Sequence, residues 1–76
     1  METNKNSAES LLRIADVKAR TGLSRSAVYD KVNPASRWHD PTFPKQVKLG
    51  PKSVGWVESE VSVWIQQRIA ASRGAA

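Results

Sequence analysis

The side chains best suited to recognition chemistry stand together between Ser24 and Tyr29. Arg25 can donate two hydrogen bonds to a guanine or one to a phosphate; the alternative is a solvated residue at a helix start. Ser26 either permits close approach of a partner or is plain helix surface. Tyr29 either contacts a sugar-phosphate or a thymine methyl group, or bridges helix and loop in a half-buried position. Such a set suits a nucleic-acid groove better than an enzyme cavity.

A second group of polar side chains lies farther along the chain and is mostly basic. Its members are Lys45, Lys48, Lys52 and Ser53. Lysines position a protein on phosphates but carry little sequence information, and each alone is ordinary surface charge. The chain has 12 Lys and Arg against 7 Asp and Glu, a net charge of +5 at pH 7. Combined with a binding motif, that balance favours a polyanionic partner.

Catalytic and metal-binding chemistry has little support in the residue types. His39 is the sole histidine and the sequence has no cysteine, so a histidine-based triad or a zinc site lacks members. Glu58 and Glu60 stand two apart in a helix, where side chains do not face each other, and this spacing indicates helix-start charges. We therefore expect neither an enzyme nor a cofactor, and we interpret His39 as loop surface.

A tight turn between two helices positions the first group. Gly22 can adopt the left-handed conformation that ends one helix, and Ser24 can cap the next by accepting a hydrogen bond from its free amides. Leu23 and Val28 have the spacing of a hydrophobic staple, which fixes the angle between the helices. The second helix is predicted over residues 24–32. This arrangement is a helix-turn-helix.

Alternating apolar and polar residues on both sides of Gly50–Ser53 predict a β-hairpin whose tip carries Lys52. A third helix follows, with apolar residues at helical spacing at Val61, Trp64, Ile65 and Ile69. Residues 11–14 form either a short strand or the entry to the first helix. The predicted fold class is α+β, mainly α. It is a small winged helix-turn-helix of three helices, with a two-stranded β-hairpin wing and, as an option, a short N-terminal strand.

A chain of 76 residues allows one domain and one small core. We expect a flexible N-terminal tail over residues 1–9, a winged helix-turn-helix DNA-binding domain over residues 10–72 and a frayed C-terminus over residues 73–76. No apolar run approaches the ~20 residues of a membrane span. The chain is therefore expected to be cytoplasmic and to make no membrane contact.

Aromatic residues are expected to build much of the core. Because the chain has no cysteine to cross-link, its three tryptophans are predicted to lie in the core. Trp38 and Phe43 stand in the proline-rich stretch of residues 33–44. There they either pin a long loop onto the core or offer exposed aromatic surface to a partner.

Six short motifs occur in an order found in a family of phage regulators. They are Leu11-Leu12-Arg13-Ile14, Thr21-Gly22-Leu23-Ser24-Arg25-Ser26, Phe43-Pro44-Lys45, Val47-Lys48-Leu49-Gly50, Val54-Gly55-Trp56 and Ser59-Glu60-Val61. Together they resemble the AlpA family of phage-encoded transcriptional regulators, which is related to excisionases and to the DNA-binding heads of MerR-type regulators. The resemblance implies a winged helix-turn-helix that binds double-stranded DNA in the bacterial nucleoid and acts on prophage genes or excision.

The resemblance also implies that Ser24–Tyr29 enter the major groove and that Gly50–Ser53 form the wing near the backbone or minor groove. The chain departs from the family in two places. Residues 34–42 are an addition relative to shorter members, although longer loops also occur in the family. Asp30 puts a carboxylate on the reading helix, where it repels phosphates unless it reads a cytosine amine or pairs with a cation. Asp30 is assigned to neither role.

Two classes of function follow. The first is a sequence-specific DNA-binding prophage regulator, acting in transcription, in excision directionality or in both. The alternative is a protein-interaction module that binds a regulator or recombinase through Trp38, Phe43 and the C-terminal helix. Candidate protein partners are an integrase or recombinase and RNA polymerase. Because one small module buries limited DNA surface, we also expect cooperative self-association on DNA.

Overall fold

The computed structural model describes residues 10–74 of the chain. Its elements are, in chain order, β1 (Leu11–Leu12), α1 (Ile14–Thr21), α2 (Arg25–Val32), β2 (Val47–Gly50), β3 (Ser53–Val57) and α3 (Glu58–Gly74). This confirms the α+β, mainly helical winged helix-turn-helix, and it includes the optional N-terminal strand. The predicted tail at residues 1–9 and the last two residues of the predicted frayed end lie outside the described residues.

The described strands form one antiparallel sheet in the order β1, β3, β2. Leu12 pairs with Trp56 across β1 and β3, and Val47 pairs with Gly55 across β2 and β3. The residues between β2 and β3 form a two-residue turn, Pro51-Lys52. The strand β3 therefore lies in the centre of the sheet, and the predicted hairpin is confirmed.

The turn between α1 and α2 uses the residues that the sequence indicates. Gly22 has a φ of 75°, in the left-handed region, and its backbone N–H donates to the Lys18 carbonyl at 2.8 Å. The Ser24 Oγ atom accepts a hydrogen bond from the Ala27 N–H at 3.1 Å. Leu23 packs, partly buried, against the core. These contacts satisfy backbone groups that are free at the helix ends, and they fix the angle between α1 and α2.

The core draws on every helix, the central strand and the loop before β2. Its buried side chains are Val17, Val28, Phe43, Trp56, Val61 and Trp64. The rings of Phe43 and Trp64 meet edge to face with centroids 4.9 Å apart, and those of Tyr29 and Trp56 do so at 6.1 Å. Edge-to-face contacts of this kind add to the stabilisation that a core gains from buried apolar area.

One of the three tryptophans is not in the core, so that expectation is wrong for Trp38. Its side chain is 64% exposed, compared with 0% for Trp56 and 7% for Trp64. The neighbours Arg37 and His39 are exposed as well. A tryptophan between polar residues in a turn belongs to no apolar stripe that would carry it into the core.

Phe43 has the opposite outcome, because only 3% of it is exposed. It pins the loop onto the core, and the alternative in which Phe43 binds a partner is wrong.

The core side of α3 ends at Ile65, since Gln66 and every later described residue is exposed, including Ile69. The apolar repeat of α3 thus continues past its packed part. Among the described helices, none is long and apolar enough to span a membrane.

The loop between α2 and β2 is anchored at Asp40. Its carboxylate accepts hydrogen bonds from the Thr42 N–H at 2.8 Å, the Thr42 hydroxyl at 2.6 Å and the Trp64 indole N–H at 3.3 Å. The Asp40 N–H donates to the Lys31 carbonyl at 3.0 Å. Partial burial raises the pKa of Asp40, but these backbone and side-chain donors and the Lys31 charge outweigh burial and lower the pKa below 3.8. Asp40 therefore ties the loop to α2 and α3.

Asp40→Ala is expected to lower the free energy of unfolding by about 1–2 kcal/mol, because the Trp64 indole N–H loses its acceptor. Asp40→Asn, which keeps an acceptor oxygen, should cost less. Since the folded-state pKa is lowered, the carboxylate stabilises the fold above pH ~4, and this contribution is lost as the pH falls through the folded-state pKa. Urea unfolding from pH 7 to pH 2 checks this. A difference between wild type and Asp40→Ala that does not narrow in acid contradicts the role of the charge.

Candidate nucleic-acid interface

The first turn of α2 has a polar surface side and an apolar core side. Ser24, Arg25 and Ser26 are exposed, whereas Val28 is fully buried. Val32, one turn after Val28, packs partly buried against the same core. Because this apolar pair fixes which side of α2 faces inward, the predicted recognition residues at its start lie on the surface.

Arg25 and Tyr29 form a pair one helical turn apart. The Arg25 Cζ atom lies 5.3 Å from the centre of the Tyr29 ring, within cation–π distance. Tyr29 is half-buried and its ring packs on Trp56, so it bridges α2 to the strand β3 and not to a loop. A core-anchored ring therefore supports the guanidinium at the surface. This support reduces the side-chain freedom that Arg25 would lose on binding.

The N-terminal end of α2 is suited to a negatively charged partner. Its first turn contains no acidic residue, and the free amides and helix dipole at such an end favour anions. The Ser24 Oγ atom accepts from the Ala27 N–H, and its hydroxyl hydrogen can still be donated to an acceptor. Asp30, one turn after Ser26, is half-buried. The start of α2 thus offers donors and positive charge to a ligand.

The basic residues of the hairpin are spread along it and do not meet at one point. Lys52 is exposed in the turn, Lys48 is exposed on β2, and Ser53 is half-buried at the start of β3. Lys45 precedes the far end of β2, a strand that spans roughly 13 Å at 3.3 Å per residue. It lines a depression together with Glu60 of α3. The tip of the hairpin therefore carries Lys52, while Lys45 stands beside α3.

Beside the start of α2, Trp38 lines a shallow depression of about 400 Å³. The other lining residues are Leu23, Ser24, Ser26, Ala27, Asp30 and Lys31. The guanidinium of Arg37 lies over the Trp38 ring, with Cζ 5.3 Å from its centre. The predicted site residues do not include Arg37, and no local pattern in the sequence places Trp38 next to α2. The polar residues on both sides of Trp38 are the one sequence signal that it is exposed.

Residues that could support other chemistry are dispersed. Within residues 10–74 no group of three or more His, Cys, Asp or Glu side chains could hold a metal ion. His39 is exposed in the loop, as interpreted. Glu58 pairs with Arg20 at 2.8 Å, and this partly exposed ion pair joins the start of α3 to α1. The two predicted helix-start glutamates are at the start of α3, as expected.

Comparison with known proteins identifies a family and two relatives that the sequence matches. The family described as "Prophage CP4-57 regulatory protein (AlpA)" matches residues 10–69. The chain is 48% identical over 65 residues to the "DNA-binding transcriptional activator AlpA" of Escherichia coli strain K12, covering 86% of this chain and 93% of that protein. It is 42% identical over 62 residues to the "Uncharacterized protein ORF88" of Enterobacteria phage P4, covering 82% of this chain and 64% of that protein.

No solved structure matches the chain significantly. The family match includes the helix-turn-helix, the loop, the hairpin and most of α3. The resemblance that the six sequence motifs indicate is thereby confirmed. The chain belongs to the AlpA family of prophage regulatory proteins.

Proposed function

We propose that this protein is a sequence-specific DNA-binding transcription regulator. The observation that carries the proposal is the surface position of Ser24, Arg25 and Ser26 at the capped start of α2. The relative from Escherichia coli is named a DNA-binding transcriptional activator, and its 48% identity supports the same biochemical class for this chain. The net charge of +5 fits a partner lined with phosphates.

In the proposed complex, residues 24–32 lie in the major groove with the start of α2 toward the base edges. Arg25 contacts a guanine, Ser24 and Ser26 permit close approach, and Tyr29 contributes its exposed edge to the sugar-phosphate. The wing, Gly50–Ser53, contacts the backbone or the minor groove through Lys52 and Ser53. Lys45 and Lys48 add to the positive field that positions the duplex. The binding unit is residues 10–72, and the protein acts as a binder and not as an enzyme.

Binding at a defined phage site serves either transcription or excision directionality. RNA polymerase is the protein partner in the first case, and an integrase or recombinase is the partner in the second. Several copies that associate on adjacent sites would compensate for the small DNA area that one module buries. The proposed place of action is the bacterial nucleoid.

The exposed side chains of Val63 and Ile69 on α3 favour a second candidate function, a protein-interaction module in which this helix binds a regulator or recombinase.

The decisive experiment selects duplexes from a random pool with purified protein and then titrates binding of a selected duplex against KCl. If about three to five phosphates are neutralised, log affinity should fall with log salt at a slope of about −2.7 to −4.5. Lys52→Ala should make this slope less steep by about one while preserving sequence preference. Arg73→Ala, an equal charge change at the exposed end of α3, is the matched control. A pool that gains no preferred sequence, or an affinity independent of salt, contradicts the proposal.

A further inference from the structure

We propose that the loop of residues 34–42 forms a third DNA contact, in which Trp38 and Arg37 lie against the sugar-phosphate backbone beside the groove that receives α2. This inference rests on the proposed function and extends it to a surface beyond the helix and the wing. Trp38 supplies a flat apolar face, and Arg37 supplies a cation that phosphates attract.

The position of Trp38 relative to α2 is the first step. Trp38 lines the same depression as Ser24 and Ser26, two of the residues proposed to face DNA. The major groove is only about 12 Å wide, so the strands that border it pass close to both sides of an inserted helix. A duplex that receives the start of α2 therefore brings one bordering strand toward Trp38.

The loop holds Trp38 in a defined position. The Trp38 backbone N–H donates to the Ser36 Oγ atom at 3.0 Å, and the Ala35 backbone N–H donates to the Asn33 Oδ1 atom at 3.0 Å. Asp40 fixes the other side of the loop to α2 and α3. The exposed indole is therefore carried by backbone that the loop's own hydrogen bonds hold, so the loop itself need not be ordered when Trp38 binds.

Charge identifies the occupant of this surface as DNA. The Arg37 guanidinium lies over the Trp38 ring. Asp30 is the one carboxylate among the residues that line the depression. Lys31 also lines it, with its Nζ atom over the Trp64 ring at 5.8 Å from the ring centre. Guanidinium and indole N–H groups donate to phosphate oxygens, and the indole face can pack on a sugar. In the absence of DNA, a second copy of this chain, with its net charge of +5, would be repelled from the arginine. A polyanionic duplex is attracted to it.

Tryptophan fluorescence can test the contact directly, because Trp38 is exposed while Trp56 and Trp64 are buried. Acrylamide should quench mainly Trp38 in the free protein, and Trp38→Phe should remove this accessible component. With a selected duplex bound, we expect quenching of the wild type to fall to the level of Trp38→Phe. Quenching that is unchanged by saturating DNA overturns the inference.

Binding assays provide the second arm. Trp38→Ala and Arg37→Ala should each weaken binding roughly three- to tenfold, equally on selected and random duplexes, because a backbone contact carries no base information. Arg73→Ala, an equal charge change to Arg37→Ala at the exposed end of α3, is the control, and unchanged melting temperatures verify the fold.

Three further results overturn the inference in distinguishable ways. Wild-type affinity in both loop variants places the duplex elsewhere on the protein. Protection of Trp38 that rises with protein concentration in the absence of DNA assigns the surface to a protein contact. A wild-type protein that binds no duplex at any salt concentration refutes the proposed function itself, and this inference with it.

Discussion

Gly55→Ala is expected to lower the free energy of unfolding by about 2 kcal/mol, which is a large share of the stability of so small a domain. Gly55 lies in β3 between both neighbouring strands. A Cβ atom there would stand 2.9 Å from the Leu12 carbonyl oxygen and 3.0 Å from the Leu49 Cδ1 atom. The Leu49 side chain can rotate away, but the Leu12 oxygen belongs to backbone that is paired with β3. The sheet must therefore shift.

Gly50→Ala is the matched control within the same sheet. Its Cβ atom would meet nothing closer than the Ser53 Cβ at 3.9 Å, an ordinary contact distance. Urea unfolding followed by circular dichroism measures both variants, and Gly50→Ala should stay within about 0.5 kcal/mol of wild type. Equal midpoints for the two variants contradict the steric account. Because β3 also carries Trp56, which packs under Tyr29, the shift in Gly55→Ala should also weaken DNA binding.

The elements of this fold could be predicted because local residues determine them. Gly22 and Ser24 act through the backbone within a few positions of themselves, so a turn between two helices is readable from the sequence. The alternation around Gly50–Ser53 likewise requires only neighbouring residues. For residues 11–14 the local pattern fits both a strand and the entry to a helix, because the choice depends on pairing with β3, more than forty positions away.

The surface was harder to predict than the fold, because it depends on how separate segments pack. The composition predicts Trp38 in the core, but Phe43, later in the same loop, supplies the buried ring in its place. The contact of Arg25 with Tyr29 has helical spacing and could have been proposed from sequence. The position of Lys45 beside α3, away from the hairpin tip, depends on where the loop delivers β2. No local pattern in the sequence encodes that position.

Arg25→Ala is expected to weaken binding to a selected duplex about 10- to 100-fold, the cost of one lost bidentate contact to guanine. On random duplexes the loss should be much smaller, because only one charge is removed from the phosphate field. Arg25→Lys separates the two contributions, since a lysine keeps the charge but lacks the planar pair of donors. It should retain the salt dependence of wild type and still lose most of the discrimination.

The measured quantity is the ratio of affinities for selected and random duplexes at one salt concentration, with Arg73→Ala as the control for charge. Tyr29→Leu is informative beside it, because it removes the ring that supports the Arg25 guanidinium but leaves an apolar side chain against Trp56. If the ring pre-positions Arg25, Tyr29→Leu should also discriminate less between selected and random duplexes, although the charge of Arg25 is unchanged. Equal losses of Arg25→Ala on both duplexes would instead assign Arg25 to a phosphate. No loss on either duplex would leave Arg25 as a solvated residue at the helix start and remove the main support for inserting this end of α2 into the groove.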